Sequence, residues 1–349
     1  MPRHIAAGIL VGPTAVGKSA VAQWIAEHTG LPILSADSML VYRGMDIGTA
    51  KPTPAERGDV PYFGMDLADP SSQFSTGAWL SAARDQLATF PSSPPPSPLS
   101  TFHSPLSTLH SPLSTLHSPL STLHSPLSTF PKIIVAGGTG LYVKALLDGL
   151  DAPPPGEASR TKWRKLFEDG GLAALKEALA ERPDAMALLP PGDALNPRRI
   201  IRALERADAN PAPILPRDDS IARPRPVAGL IMPRDRLAAR IMERIHTMFA
   251  NGLLEEASAL RSSGGLSETA AAAIGYAEAL AVVDGRMTVV EAKERVAART
   301  RQLAKRQMTW FRHQLAVEWI EVGEEDSPAM LGEKALEIWK RNGLREITI

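Results

Sequence analysis

Gly12-Pro13-Thr14-Ala15-Val16-Gly17-Lys18-Ser19 lies between the apolar run Ile5–Val11 and the helix-periodic stretch Ala20–His28. The spacing Gly-x4-Gly-Lys-Ser between a strand and a helix is the phosphate-binding P-loop pattern. Its glycines let successive backbone N–H groups converge on phosphate oxygens, and the helix N-terminus adds the positive end of its dipole. Lys18 is placed to reach the terminal oxygens, and the Ser19 hydroxyl is placed to ligate Mg2+. The motif predicts a di- or triphosphate-bearing substrate and does not choose between ATP, GTP and another diphosphate.

Working outward, Leu31–Ala36, Lys132–Ala136 and Val227–Met232 repeat the apolar-run pattern of Ile5–Val11, with Trp319–Val322 as a weaker late strand. Each of the four main runs is followed by loop residues and a helical pattern. Buried strands alternating with helices predict a parallel α/β sheet of the P-loop NTPase type, covered on both faces. From about Asp151 to Arg223 the pattern is helical only (Thr161–Phe167, Leu172–Ala180, Pro197–Ala207), bounded by Pro153-Pro154-Pro155-Gly156 and a Pro-rich stretch from Pro211 to Pro226. The expected organisation is a first core part over 1–150, an inserted small helical domain over 151–223 and a second core part over 224–349.

Residues 97–130 differ from everything around them. The unit Ser-Pro-Leu-Ser-Thr-Leu-His starts at Ser104, Ser111 and Ser118, with variant copies at Ser97 and Ser125. Proline in each unit excludes a coiled coil despite the seven-residue period. The histidines His103, His110, His117 and His124 come with the repeat, so the reading is a disordered surface loop rather than a metal site. Lengthening a connection from about six to about forty residues costs only about 1.5–2 kcal/mol of closure entropy.

Composition narrows the classes further. The 349 residues contain 38 Lys+Arg, 38 Asp+Glu and no cysteine. Disulfides, thiolate catalysis and cysteine-based zinc sites are excluded, and a reducing cytoplasm fits. With zero formal net charge, nucleic-acid binding would need local basic patches. The run Ile5–Val11 is short for a signal-peptide core and enters the P-loop directly, and Thr269–Val283 is too short and interrupted to span a bilayer. No membrane association is expected, and a monomer is the default.

After the second strand comes Ser35-Ala36-Asp37-Ser38-Met39-Leu40-Val41-Tyr42-Arg43-Gly44-Met45-Asp46-Ile47-Gly48-Thr49-Ala50-Lys51-Pro52. The carboxyl end of a parallel strand faces the phosphate crevice. Asp37 could therefore serve as a metal-shell ligand, as a general base, or as an Asx-turn cap. This block resembles the signature of tRNA dimethylallyltransferases, also called tRNA isopentenyltransferases. So do Gly12–Ser19, Ala136-Gly137-Gly138-Thr139-Gly140-Leu141-Tyr142, Ile274-Gly275-Tyr276 and Thr300-Arg301-Gln302-Leu303-Ala304-Lys305-Arg306-Gln307-Met308-Thr309-Trp310-Phe311-Arg312, in family order.

The resemblance implies transfer of a dimethylallyl group from dimethylallyl diphosphate to N6 of the adenosine 3′-adjacent to the anticodon. The P-loop residues Gly12, Pro13, Thr14, Ala15, Val16, Gly17, Lys18 and Ser19 would then hold a leaving diphosphate with Mg2+. Asp37 resembles the family's general base, Thr139 a residue of the catalytic centre, and Arg240 the arginine on the diphosphate. Arg240 would otherwise be a solvent-facing helix arginine.

The resemblance also implies that Asp37, Ser38, Met39, Leu40, Thr139, Ile274, Gly275 and Tyr276 contact tRNA. Arg301, Lys305 and Arg306 would join them from the helical run Val289–Gln314, and Arg160, Arg198, Arg199 and Arg202 from the helical insertion. Basic positions interleaved with Trp310 and Phe311 suit a single-stranded RNA loop. The same run reads equally as a solvated helix balanced by Glu291 and Glu294. The partner would be a tRNA anticodon stem-loop, clamped by two basic patches. Three alternatives stand beside this reading: a prenyltransferase on free adenine nucleotide, a P-loop small-molecule kinase, and an inactive RNA-binding relative.

Overall fold

Alternation of buried residues organises the first strand. In a computed structural model describing residues 4–89, 132–148, 156–189, 192–209 and 227–348, β1 (His4–Val11) sends Ala7, Ile9 and Val11 into one apolar cluster and Leu10 into another. A strand buried on both faces belongs inside a parallel sheet. β1 is indeed central, in the order β3-β2-β4-β1-β5-β6, where β2 is Ile33–Ser35, β3 Tyr62–Phe63, β4 Ile133–Gly137, β5 Val227–Ile231 and β6 Val317–Glu321. All of these pairings are parallel, and β7 (Arg345–Thr348) adds antiparallel to the start of β1. The α/β sheet of the P-loop NTPase type read from the apolar runs is present. The two-residue β3 and the edge strand β7 are additions to it.

Helices cover both faces. α1 (Lys18–Thr29) and α12 (Pro328–Asn342) bury Ile25, Leu331, Ile338 and Trp339 in one cluster, together with Ile241 and Ile245 of α8 (Arg234–Ala250). α3 (Thr76–Ala88), α4 (Gly140–Asp148), α9 (Leu253–Ser262), α10 (Tyr276–Val283) and α11 (Val289–Gln314) contribute Trp79, Tyr142, Leu253, Tyr276 and Phe311 to the other. The short α2 (Pro54–Arg57) opens with a capping box between Thr53 and Glu56, which satisfies donors that a helix start leaves unpaired. α11 matches the predicted span and opens with a capping box between Thr288 and Glu291.

The chain divides into two units, Met1–Gly149 with Arg223–Ile349, and Leu150–Ala222. The second has a small core of its own, in which Trp163, Leu175 and Leu179 of α5 (Glu157–Ala180) meet Ile200 and Leu204 of α7 (Pro197–Asp208), with Ala185 from the short α6 (Pro183–Ala187). Asp208 ties it together, accepting from the Trp163 indole at 2.7 Å and the Ser159 hydroxyl at 2.6 Å and pairing with Arg182 at 2.9 Å. The two helices expected over Thr161–Phe167 and Leu172–Ala180 are both present within α5, separated by a kink at Gly171, whose φ of 63° is not helical. The repeat 97–130, with its histidines, and the Pro-rich stretch 211–226 lie outside the described residues.

Candidate active site

The P-loop turn needs unusual backbone. Ala15 (φ 65°) and Gly17 (φ 106°) are left-handed, and Gly17 leads directly into α1. A side chain at Gly17 would strain this conformation. The half-buried Lys18 folds its ammonium back onto the Pro13 carbonyl at 2.7 Å. Burial lowers that ammonium to about 8; the Asp37 carboxylate opposes the shift and the Arg244 guanidinium adds to it. Ser19 is exposed on the first turn of α1.

At the carboxyl end of β2, Asp37 Oδ1 accepts the Met39 amide at 2.9 Å. The Asx turn is present but caps no helix, since turns follow it, and it orients Asp37 without taking it out of the crevice. Asp37, Ser38 and Met39 line a cavity of about 430 Å3 together with Thr139, Ile274, Arg244 and Arg306. Thr139 reaches it from the turn after β4: its Oγ1 accepts the Ser38 amide at 2.9 Å and bonds the Ser38 hydroxyl at 3.2 Å. Two strand ends and their key residues are thereby fixed in one frame.

The arginine differs from expectation. Arg240 sits against the P-loop, with Nη1 3.4 Å from the Val16 carbonyl and 3.6 Å from where a Cβ on Gly17 would lie, and lines two other cavities, with residues such as Lys51 and Asp326, rather than the one that holds Asp37. Arg244, one turn further along α8, lines the cavity that holds Asp37 and Thr139. Its Nη2 donates to the Thr49 carbonyl at 2.8 Å and its Nη1 to Thr14 Oγ1 at 3.5 Å. Among the described residues it has no ion pair, and burial lowers its guanidinium, opposed by the Asp37 charge. A half-buried cation held only by neutral acceptors, beside a second cation, is matched to an anionic ligand. Helical periodicity alone cannot tell two arginines one turn apart, because the choice depends on how α8 packs.

Other residues went unassigned in the sequence. Gln307 of α11 accepts the Thr14 amide at 2.8 Å and donates to the Gly138 carbonyl at 3.0 Å, joining the P-loop to the β4–α4 turn. Glu256 accepts the amides of Asp46, Ile47 and Gly48 and the Tyr276 hydroxyl, shaping the loop after Asp37. Buried Glu278 caps the Gly275 amide at 3.2 Å and pairs with Arg299, which enters the cavity wall, at 2.5 Å.

Of the residues expected to meet RNA, Arg301, Lys305 and Arg306 are exposed on α11. Ile274 lines the cavity, Leu40 is half-buried, and Gly275 supplies the left-handed start of α10. Tyr276 is fully buried, so its side chain is scaffold. Phe311 is also fully buried, and Trp310 packs over Gly140, where a Cβ would lie 2.1 Å from the indole. The aromatic–basic interleaving is therefore core alternating with surface at Phe311, not a row of stacking platforms. In the helical unit, Arg160 is half-buried, Arg199 pairs with Asp193, Arg202 pairs with Glu205 at 3.4 Å, and Arg198 is exposed at the start of α7.

Among the described residues no group of three or more His, Asp or Glu side chains could by itself hold a metal. The Asp37 carboxylate in the cavity and the exposed Ser19 hydroxyl at the start of α1 are oxygen donors of the kind Mg2+ takes when substrate phosphates complete its shell. No helix among the described residues is long and apolar enough to cross a membrane.

The family described as IPP transferase matches residues 40–93 and 127–314, and that described as isopentenyl transferase matches residues 5–60. A tRNA dimethylallyltransferase of Geobacter sulfurreducens is 37% identical over 323 residues, 90% of this chain and 91% of that one. One of Kineococcus radiotolerans is 35% identical, covering 94% of this chain and 95% of that one. The crystal structure of a tRNA isopentenylpyrophosphate transferase from Bacillus halodurans aligns with TM-score 0.58 and 29% identity over 95% of both chains. A eukaryotic dimethylallyltransferase acting on tRNA shares the fold, with TM-score 0.62 at 19% identity over 97% of this chain and 76% of that one.

Proposed function

The chain belongs to the IPP transferase family and is a tRNA prenyltransferase, and from that premise we propose the substrates and the residue roles. The donor is dimethylallyl diphosphate and the acceptor is N6 of the adenosine 3′-adjacent to the anticodon. Nucleophilic N6 bonds the allylic C1 as the C1–O bond breaks, the N6 proton passes to the Asp37 carboxylate, and diphosphate leaves.

The observation that carries this reading is the meeting of Asp37, Thr139 and Arg244 in one cavity, with Arg299 and Arg306 of α11 in its wall. A carboxylate at an amine acceptor and a half-buried cation at a leaving anion are the groups that allylic transfer requires. Adenine N6 is a weak nucleophile, so a base within reach of its proton matters. Charge grows on the departing diphosphate, so Lys18 and Arg244 stabilise the transition state more than the ground state. Arg244 takes the role that the resemblance suggested for Arg240. Thr139, held by Ser38, orients the acceptor beside Asp37.

Mg2+, held by Ser19 and the diphosphate oxygens, would neutralise part of the leaving charge. Arg301, Lys305 and Arg306 take tRNA phosphates, as do Arg160, Arg198, Arg199 and Arg202 of the helical unit. The adenine must leave its stack to enter the cavity, which costs a few kcal/mol.

The test is incubation of the protein with unmodified tRNA and radiolabelled dimethylallyl diphosphate, with ATP and free AMP as controls. Label on tRNA alone is the expected result. Label on AMP, or ATP consumption on a small acceptor, would replace this reading.

A further inference from the structure

Adjoining the cavity that holds Asp37 is a second one of about 460 Å3, whose lining mixes Asp46, Lys51, Glu56 and Glu243 with Ala15, Ile47 and Ala50. Of the described residues, only Arg244 and Met248 line both. They sit one turn apart on α8, a spacing that places two side chains next to each other on one helix face. Met248 is 8% exposed and belongs to the apolar core. Ile241 and Ile245, on the same face, continue the apolar lining of the first cavity.

We propose that Met248 is the end wall of the prenyl pocket and limits the donor to a short allylic chain. This inference rests on the function proposed above. With the diphosphate on Lys18 and Arg244, the hydrocarbon tail needs apolar surface close to Arg244. The face of Ile241, Ile245 and Met248 supplies it, and beyond Met248 the second cavity offers apolar surface from Ala15, Ile47 and Ala50 among its charged residues. A five-carbon tail ends within about one helical turn of its anchor. A ten-carbon tail would run into Met248. Cutting Met248 back would join the two cavities and give the longer tail a path, at the cost of contacts to the shorter one. The bond changes are those of the parent reaction: C1–N6 forms, C1–O breaks and diphosphate leaves.

The experiment compares wild type, Met248→Ala, Met248→Val and Met248→Leu on one tRNA with dimethylallyl and geranyl diphosphates. The readout is the ratio of kcat/KM for the two donors. In Met248→Ala the ratio should move toward geranyl by about ten- to hundredfold, the discrimination a few methylenes give in an apolar pocket. Met248→Val should shift it less, and the volume-conserving Met248→Leu should keep the wild-type ratio. Loss of packing alone would lower both donors together and leave the ratio unmoved. An unchanged ratio in Met248→Ala, or in Met248→Val if the alanine variant does not fold, overturns the inference while dimethylallyl transfer by wild type continues. Failure of wild type to transfer dimethylallyl to tRNA overturns the proposed function itself, and this inference with it.

Discussion

Gln307 and Thr14 are 293 positions apart and joined by one hydrogen bond, the Thr14 amide donating to Gln307 Oε1 at 2.8 Å. The other end of the same amide donates to the Gly138 carbonyl at 3.0 Å. One side chain of the basic helix α11 thus fixes the P-loop relative to the turn that carries Thr139. Gln307→Glu keeps an acceptor for Thr14, loses the donor to Gly138 and places a negative charge beside the diphosphate site. Losing a buried partner costs about 1–3 kcal/mol. Steady-state kinetics should show a raised KM for the donor with tRNA affinity unchanged. A normal donor KM would mean that Gln307 holds no part of the donor site.

Arg244 and Arg240 separate cleanly by mutation. Arg244→Gln should lower kcat by about two to three orders of magnitude, the usual result of removing one group that stabilises developing charge. Arg240→Gln, at an exposed position outside the cavity that holds Asp37, should change kcat by less than about tenfold, the scale of an exposed charge near 1 kcal/mol. The reverse ranking would return the diphosphate role to Arg240.

Asp37→Asn keeps the Asx-turn acceptor that orders Met39 and removes the base. Single-turnover transfer should fall by about two to four orders of magnitude, with tRNA binding by filter retention near wild type. Equal transfer in the variant would remove Asp37 from proton transfer.

The Lys18 ammonium, lowered from 10.5 to about 8, fixes the sign of a pH effect. In the free enzyme its charge is full below pH 8 and is lost as pH rises through that value. Because kcat/KM reports free-enzyme ionisations, kcat/KM for the donor should fall above about pH 8. Bound diphosphate favours the charged form, so calorimetry of pyrophosphate binding near pH 9 should show proton uptake. The folded state holds this proton more weakly than the unfolded chain does. Lys18 therefore makes stability rise with pH between about 8 and 10.5, and below 8 its unfavourable contribution is complete. A flat donor profile from pH 7 to 9.5 would show that Lys18 stays charged throughout.

Phe311 is fully buried and contacts Trp310 edge-on at 5.5 Å. Phe311→Ala should lower stability by about 3–5 kcal/mol, measured by denaturant unfolding of the whole chain. A near-neutral effect would place Phe311 at the surface, where a base could stack on it.

Much of this was legible from the residues because the P-loop and the inner strands are encoded locally. Glycines at fixed spacing and runs such as Ile133-Ile134-Val135 leave few alternatives. β3 escaped notice because two residues carry no period, and β7 because Arg345-Glu346-Ile347-Thr348 joins the sheet through pairing with β1. Asp37 and Thr139 were legible as motif residues, since strand ends in such a sheet face the crevice. Arg244 and Gln307 were not. Both lie on long helices where several polar side chains fit the period, and only the packing of α8 and α11 decides which one enters the cavity. Phe311 was misread for the same reason: a buried aromatic and an exposed one look alike between basic neighbours.

We propose that prenyl transfer takes place on the adenine amine beside the anticodon. The most direct measurement is mass spectrometry of nucleosides released from unmodified tRNA after one turnover with dimethylallyl diphosphate and Mg2+. The expected product is adenosine carrying one dimethylallyl group on N6, mapped by nuclease digestion to the position 3′ of the anticodon, with one pyrophosphate released per modified tRNA. Pyrophosphate release without modified adenosine, or the prenyl group on another base or atom, would rule out transfer to N6.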